Sequence, residues 1–295
     1  MRAVRERFPN AHITALTGLV SGEIVRLSGF ADEVLAVDRV ELRDGPKLQS
    51  IGRVLKLARD IRGRGFDLVI DLHSLKETNI LAWLSGAKHR LLANRGNRSY
   101  HSLGNFAPAP PAIDRSAPLS ETYMRVLGPL GIERNAEPVT LAKTEDKALS
   151  DLPRPIAGLF PGAGHENRRW PLMRFAELAV RLRADGLTPV VFLGPEEREM
   201  LNDVVTAFGT ETAIVDNLNI GEFISAAAEL DVFITNDTGP MHIAALAGVP
   251  IVLVMHKDAP LTYLPLAAKL EVVNAAAIGE ISVDDVFAGV RALLK

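Results

Sequence analysis

The sequence predicts an α/β fold made of two doubly wound domains, each a parallel sheet with helices on both faces. Three observations predict it. Short, continuous runs rich in β-branched residues, such as Val232–Thr235, Val190–Leu193 and Pro250–Val254, read as strands buried on both faces of a sheet. These runs alternate with segments of helical periodicity along the whole chain, the pattern of βαβ crossovers. The length of 295 residues suits two such domains, and a hydrophobic content of 47% is ample for two cores.

Taken in order, residues 1–8 read as the end of a helix closed by Phe8-Pro9-Asn10. A strand is expected at Ile13–Leu16, a short helix at Ser21–Leu27 and a strand at Glu33–Val37. Lys47–Arg64 is a longer helix, with Ile51, Val54, Leu55, Ala58 and Ile61 at helical spacing and Gly65 as its stop. Strand Phe66–Leu72, helix Glu77–Leu84 and strand His89–Ala93 follow. Asn94–Pro118 is irregular and carries Arg95, Arg98, Tyr100 and His101 before a proline-rich run, Ala107–Pro111. A loop of that length in a compact domain is functional or mobile. Helix Ser120–Leu130 leads to a passage over Arg134–Leu152, which divides the chain into residues 1–143 and 144–295. The second half predicts strands at 156–160, 188–193, 212–215 and 270–273 and helices at 171–185, 196–208, 220–229 and 282–294. Its centre is 231–254: strand, turn, helix and strand.

Composition excludes several classes. Without cysteine there is no disulfide or thiolate metal site. No His/Asp/Glu cluster has metal-ligand spacing and no Asp-x-Asp occurs, so no metal is expected. A net charge of −3 argues against general nucleic-acid binding. No apolar run approaches the ~18 residues of a membrane span, and the charged start, Met-Arg-Ala-Val-Arg-Glu-Arg-Phe, has no secretory signal. The class is that of a cytoplasmic α/β protein, with no repeat or low-complexity tract.

Two stretches carry chemistry. In the first, Asn236-Asp237-Thr238-Gly239-Pro240 follows a buried strand and supplies two residues tolerant of left-handed backbone, a cap hydroxyl, a glycine and a helix-start proline. His242 falls one turn into the helix, Ala244, Ala245 and Ala247 let it lie close to the sheet, and Gly248 stops it. Free N–H groups and the helix dipole at such a turn capture an anion, and open α/β sheets bind ligands outside the carboxyl ends of their strands. The same pattern also fits an ordinary capped turn. In the second stretch, 157–179, a short strand runs into Gly162-Ala163-Gly164, then Arg168-Arg169-Trp170-Pro171, then an amphipathic helix with Phe175, Leu178, Ala179 and Leu182 on one face.

These two stretches together resemble the heptosyltransferases, the family 9 glycosyltransferases of lipopolysaccharide core synthesis. The second domain of that family opens with a strand–loop–basic–Trp-Pro–helix unit and closes its nucleotide site with a (Ser/Asn)-Asp-(Ser/Thr)-Gly-Pro-x-His-x-Ala-Ala turn, matched here by 236–245. The resemblance covers nearly the whole chain. It implies a GT-B-like architecture, two Rossmann-like domains facing across a cleft, with 1–143 on the acceptor side and 144–295 binding the nucleotide-sugar. It implies that heptose or a related sugar passes from a nucleoside-diphosphate sugar, ADP-heptose, to a lipopolysaccharide-core or lipid-linked saccharide acceptor, by inversion and without metal or other cofactor. The implied setting is the cytoplasm, with peripheral association at the inner membrane.

The same resemblance places a strand and a Gly-Asp loop before the equivalent of Arg2–Pro9. That loop carries the Asp taken as the family's general base, and no residue of this sequence matches it. The first domain is therefore expected to lack its central first strand, through a start assigned too late or a truncation. A nucleotide- or saccharide-binding pseudoenzyme without turnover is the alternative. A sugar-nucleotide epimerase of similar architecture is disfavoured by the absence of paired acids.

Carried over residue by residue, Gly162, Ala163 and Gly164 allow close approach of the nucleotide, and Arg168 neutralises the β-phosphate while Arg169 is a solvated neighbour. Trp170 and Pro171 are structural. Glu196, with Glu197 as the alternative, holds the ribose hydroxyls. Asp237 orders the turn or meets a sugar hydroxyl, Thr238 and Gly239 hold the diphosphate, and His242 and Arg168 stabilise the leaving group. On the first domain, His73 and Ser74 leave a strand end as candidate acceptor contacts, and Arg95, Arg98 and His101 suit an anionic saccharide. The loop bearing these last three reads equally as solvated surface. His256-Lys257-Asp258 is a weaker candidate for the sugar pocket.

Overall fold

The computed structural model describes residues 1–38, 47–114, 116–141 and 149–295, with side chains of the helix at 47–63 described from residue 52. The expected division at 143/144 lies outside these residues, and so does the side chain of Ile51. The chain separates into two compact units, Met1–Ala136 with Leu261–Leu264, and Glu137–Pro260 with Pro265–Lys295.

The first unit contains α1 (Arg2–Arg7), β1 (Thr14–Gly18), α2 (Leu19–Ser28), β2 (Glu33–Val37), α3 (Lys47–Gly63), β3 (Leu68–Asp71), α4 (Lys76–Leu84), β4 (His89–Leu92) and α5 (Leu119–Leu127). Its described strands form two separate parallel pairs, β1–β2 and β3–β4. On β3–β4, Leu91 packs with Ala3, Leu127, Leu130 and Ile132, so α1 and α5 cover one face of this pair. Several expected boundaries shift. The first strand begins at Thr14 and runs to Gly18, further than Leu16. The helix expected to reach Leu130 ends at Leu127, and Gly128–Leu130 tightens to a 3-10 turn around Pro129. In α3, Ala58 and Ile61 are buried but Val54 and Leu55 are exposed, so the apolar stripe is narrower than its spacing suggests.

The second unit contains β5 (Ile156–Phe160), α6 (Leu172–Ala184), β6 (Thr188–Leu193), α7 (Leu201–Phe208), β7 (Ala213–Asp216), α8 (Ile220–Ala227), β8 (Val232–Asn236), α9 (Gly239–Ala247), β9 (Ile251–His256), β10 (Leu270–Ala275) and α10 (Val283–Leu293). Its six strands form one sheet in the order β10-β9-β8-β5-β6-β7, with every neighbouring pair parallel. Every residue of β5 and β8 is buried, as continuous apolar strands between two helical layers require. On one face Ala157, Leu159, Val232, Ile234, Val252 and Val254 meet α6, α7 and α10. On the other, Phe192, Phe223 and Phe233 stack edge to face. Gly158 lies among them, where a Cβ would come within 2.4 Å of Leu230 Cδ1.

Local sequence explains the helix ends. Asn219 and Ser282 cap α8 and α10 through boxes closed by Glu222 and Asp285. Gly248, at φ 80°, ends α9 in the left-handed conformation. The single helix expected at 196–208 is instead a 3-10 segment, Pro195–Met200, followed by α7. Pro195 sits at its first position, and the Glu197 carboxylate turns back onto the Gly194 N–H.

Candidate functional site

The second unit's sheet grows in opposite directions from β5: through β6 to β7 on one side and through β8 to β10 on the other. Between β5 and β8 is the topological switch point, where the loops leaving two adjacent strand ends diverge and open a crevice. The loop after β5 is 161–171 and the turn after β8 is Asp237-Thr238. These are the two stretches singled out in the sequence.

The turn differs from expectation in detail. Neither Asn236 nor Asp237 has positive φ. Thr238 is the N-cap of α9 in extended backbone, but its hydroxyl makes no capping bond to the helix. Thr238 is half-buried and Gly239 exposed, so the first turn of α9 opens to solvent with the positive end of its dipole outward. His242 lies on an exposed position of α9 and does not face the core. The chain around the ring displaces water, which lowers its pKa below the ordinary histidine value against the opposing charge of Asp237.

Asn236 was expected only as a turn residue tolerant of left-handed backbone, at the Ser/Asn position of the motif; its structural role is different. This last residue of β8 is fully buried. Its Oδ1 accepts the Trp170 N–H at 3.0 Å, and its Nδ2 donates to the carbonyls of Pro161 at 2.9 Å and Gly162 at 3.1 Å. One amide thus fastens the end of β8 to both ends of the glycine-rich loop. The sequence signals were a polar residue closing an apolar strand and the Ser/Asn position of the motif, and neither showed these partners.

Arg168 and Arg169 part company. Arg169 was expected to be solvated, but its Nε donates to the Ala163 carbonyl at 2.9 Å. Arg168 is half-exposed, with Nη1 3.5 Å from Asp237 Oδ2, so the guanidinium is held beside the α9 N-terminus by an acid of the turn. Trp170 is buried as expected, donating Nε1–H to the Ile281 carbonyl at 2.9 Å and meeting Phe175 edge to face. Pro171 is the N-cap of α6, one place earlier than a first-turn residue.

Gly162 and Ala163 are buried and Gly164 is exposed. A Cβ on Gly162 would lie 2.3 Å from Glu197 Oε1, so a side chain there would push the Glu197 carboxylate aside. The neighbouring acids are also distinguished: Glu196 is exposed, while Glu197 is 5% exposed and caps Gly194. Glu196 is thus the one open to a ligand hydroxyl. Burial raises the Glu197 pKa above the ordinary carboxylate value, with the Glu196 charge adding to it and the Gly194 N–H and Arg169 opposing. A carboxyl raised on folding binds more protons folded than unfolded; its contribution is present below the unfolded pKa and lost as pH rises through the folded one. Glu197→Gln, which keeps the shape and a capping oxygen, should therefore raise the melting temperature near pH 8. Thermal melts should show that gain vanish near pH 4, about the ordinary glutamate pKa.

In the first unit, the end of β3 is held by a buried network. Asp71 accepts from the Ser74 N–H at 2.7 Å and from Asn79 Nδ2 at 2.8 Å, and Asn79 Oδ1 accepts the Tyr100 N–H at 2.7 Å. Ser74, expected to touch an acceptor, is fully buried at φ 45° and donates its hydroxyl to the Ala93 carbonyl at 2.5 Å. Its role is structural, which corrects the reading. His73 remains half-buried, and Arg95 Nη1 donates to its carbonyl at 3.0 Å. Arg98 and His101 are exposed, with His101 Nδ1 3.4 Å from Ser99 Oγ. Back in the second unit, His256 Nδ1 accepts the Asp258 N–H at 3.1 Å. Among the described residues no group of three or more His, Asp or Glu can hold a metal ion, and no helix is long and apolar enough to cross a membrane.

The solved glycosyltransferase family 9 protein of Veillonella parvula superposes with a TM-score of 0.84 at 25% identity, over 99% of this chain and 91% of that one. The Escherichia coli ADP-heptose lipopolysaccharide heptosyltransferase II gives a TM-score of 0.75 at 23% identity, over 99% and 92%. The fold is that of a GT-B-like glycosyltransferase, α/β with parallel strands and helices. The second unit is the expected doubly wound sheet, whereas the described strands of the first form two separate parallel pairs instead of one sheet. The family model for glycosyltransferase family 9 (heptosyltransferase) matches residues 54–283. Lipooligosaccharide heptosyltransferase 2 of Haemophilus influenzae is 32% identical over 255 residues, 80% of this chain and 73% of the relative. Lipopolysaccharide heptosyltransferase 2 of Escherichia coli is 26% identical over 246 residues, 76% and 69%. The chain belongs to the heptosyltransferases, glycosyltransferase family 9, and is a glycosyltransferase.

Proposed function

We propose that this chain transfers heptose, or a related sugar, from ADP-heptose to a lipopolysaccharide-core acceptor, inverting the anomeric centre without a metal ion. The observation that carries the proposal is the convergence of Arg168, Asp237, the open first turn of α9 and the Asn236-fastened glycine loop at one switch point. That arrangement suits a diphosphate: a guanidinium, a helix N-terminus and a histidine replace the cation that many nucleotide sites use. Relatives named as heptosyltransferases, one of them for ADP-heptose, support the donor.

In the reaction the acceptor oxygen bonds to the anomeric carbon as the carbon–phosphate-oxygen bond breaks, and the electron pair leaves with the nucleoside diphosphate. Arg168, His242 and the α9 dipole meet the charge that develops there. Glu196 takes the ribose hydroxyls, and Asp237 both steadies Arg168 and reaches a sugar hydroxyl. The first unit receives the acceptor: His73 stands at the β3 exit, and Arg95, Arg98 and His101 offer positive charge to an anionic saccharide. None of these residues is assigned as the base that takes the acceptor proton. The acceptor's lipid places the reaction at the cytoplasmic face of the inner membrane, with this chain as a peripheral visitor.

Incubating the chain with ADP-heptose and heptose-deficient core acceptor in excess chelator should release ADP, with a matching gain of one heptose by the acceptor. The new linkage should be of opposite anomeric configuration to the donor. Abolition of transfer by chelator, restored by added metal, would refute the metal-independent mechanism. Donor binding without turnover would favour the pseudoenzyme.

A further inference from the structure

We propose that Asn79 and Ser99 are positioning residues for acceptor binding: buried beneath the loop that follows β4, they fix its shape so that the exposed Arg98 and His101 meet the anionic part of the saccharide. The inference rests on the acceptor reading above and assigns the loop's shape to two side chains that do not touch the acceptor. β3 and β4 are parallel neighbours, so the segments leaving both emerge at the same edge of the pair, the edge where α/β sheets meet ligands. The loop leaves β4 there at Asn94 and returns to it through the Asn105 N–H, which donates to the Arg90 carbonyl at 3.1 Å.

Asn79, on α4, is fully buried. Its Nδ2 donates to Asp71 Oδ2 at 2.8 Å and to Ser74 Oγ at 2.9 Å, which leaves Oδ1 to accept the Tyr100 N–H at 2.7 Å. A flipped amide would set its oxygen against the Asp71 carboxylate, so the orientation is fixed. Lys76, one turn earlier on α4, holds Nζ 5.3 Å from the centroid of the Tyr100 ring. On the other limb Ser99, also buried, accepts the Arg95 N–H on Oγ at 3.0 Å and donates to the Gly96 carbonyl at 3.2 Å. Arg95 Nη1 ties that limb to the His73 carbonyl. The loop is thus fastened at Arg95, Ser99 and Tyr100, while Arg98 and His101 between and beside these points stay exposed. Burying an amide and a carboxylate costs desolvation that an apolar core avoids. What the Asp71–Asn79 pair provides in return is a fixed place for one loop N–H, and a loop shaped in advance pays less ordering cost when a ligand arrives.

The test is calorimetric titration of the full chain with two ligands. One is a soluble, deacylated, heptose-deficient core saccharide that keeps its anionic groups; the other is ADP, whose proposed site is on the second unit. Asn79→Ala is expected to weaken the saccharide by about 10–100-fold, the worth of one or two hydrogen bonds to a charged group, with stoichiometry and ADP affinity unchanged. Added salt should weaken saccharide binding by the wild-type chain more than by the variant, which has lost charged contacts. A merely structural role lowers the fraction of competent protein, reducing stoichiometry while the remaining molecules bind with unchanged affinity and salt dependence. That result overturns the proposal. If Asn79→Ala fails to melt cooperatively, Ser99→Ala decides: it should weaken the saccharide and spare ADP, and unaltered saccharide affinity overturns the proposal equally. A folded wild-type chain that does not bind the saccharide refutes the acceptor reading, and this inference with it. Wild-type saccharide binding that the variants leave unaltered refutes only the positioning role.

Discussion

Arg168→Ala should lower kcat/KM for the nucleotide-sugar by about 10²–10³, the usual cost of removing one group that stabilises a developing oxyanion. Folding should change little, because the Arg168 side chain is half-exposed and its Nη1 is 3.5 Å from the Asp237 carboxylate, a long contact. Two effects combine. The departing diphosphate loses a cation, and the Asp237 carboxylate, no longer offset, faces that diphosphate across the same turn. Arg168→Ala with Asp237→Asn should therefore be less impaired than Arg168→Ala alone, a coupling that a double-mutant cycle measures directly. Arg168→Lys should recover part of the rate, since it restores the charge without the planar fork. Steady-state kinetics of these three variants and of Asp237→Asn alone check these expectations, and an additive cycle would refute the Arg168–Asp237 coupling.

Trp170→Ala should destabilise the second unit by about 3–5 kcal/mol, the range for removing a buried aromatic side chain. Trp170 is 1% exposed, packs on Phe175 at a centroid distance of 4.9 Å and holds the Ile281 carbonyl just ahead of α10. Truncation leaves a cavity and an unmet carbonyl. With about 2–4 °C lost per kcal/mol in a domain of this size, melting should fall by roughly 6–20 °C. Trp170→Phe should fall between, keeping the edge-to-face contact and losing the hydrogen bond. Calorimetric melting decides; a loss below about 1 kcal/mol would show that the Trp-Pro segment is not the anchor of this unit.

The parts of the fold that sequence revealed are those whose physics is local. Val232–Asn236 and Ile156–Phe160 are buried on both faces, and an unbroken apolar run is the direct signature of that environment. The β1–β2 and β3–β4 strands are mostly half-exposed; β2 falls where expected, while the ends of β1 and β3 and the end of β4 moved by one or two residues, because a weaker burial pattern fixes a weaker boundary. In the site, the anion-receiving turn was legible from cap, glycine and proline chemistry. The Asn236 staple was not: its partners lie 66 to 75 residues away, and only the pairing of β5 with β8 brings them together. Arg168 and Arg169 are equivalent as letters. Extended backbone at Arg169, φ −91° and ψ 117°, separates their directions, one toward the turn and the other back onto Ala163. Ser74 read as an accessible strand-end hydroxyl, but the Asp71–Asn79 network folds it inward.

The measurement that tests the account most directly is calorimetric titration of the unaltered chain with ADP, beside Arg168→Ala and His242→Ala. The account predicts saturable one-site binding by a cooperatively melting protein, weakened by each substitution. A cooperatively melting protein that does not bind ADP, or that binds it equally well without Arg168 and His242, would contradict the placement of the donor diphosphate at the β5–β8 switch point.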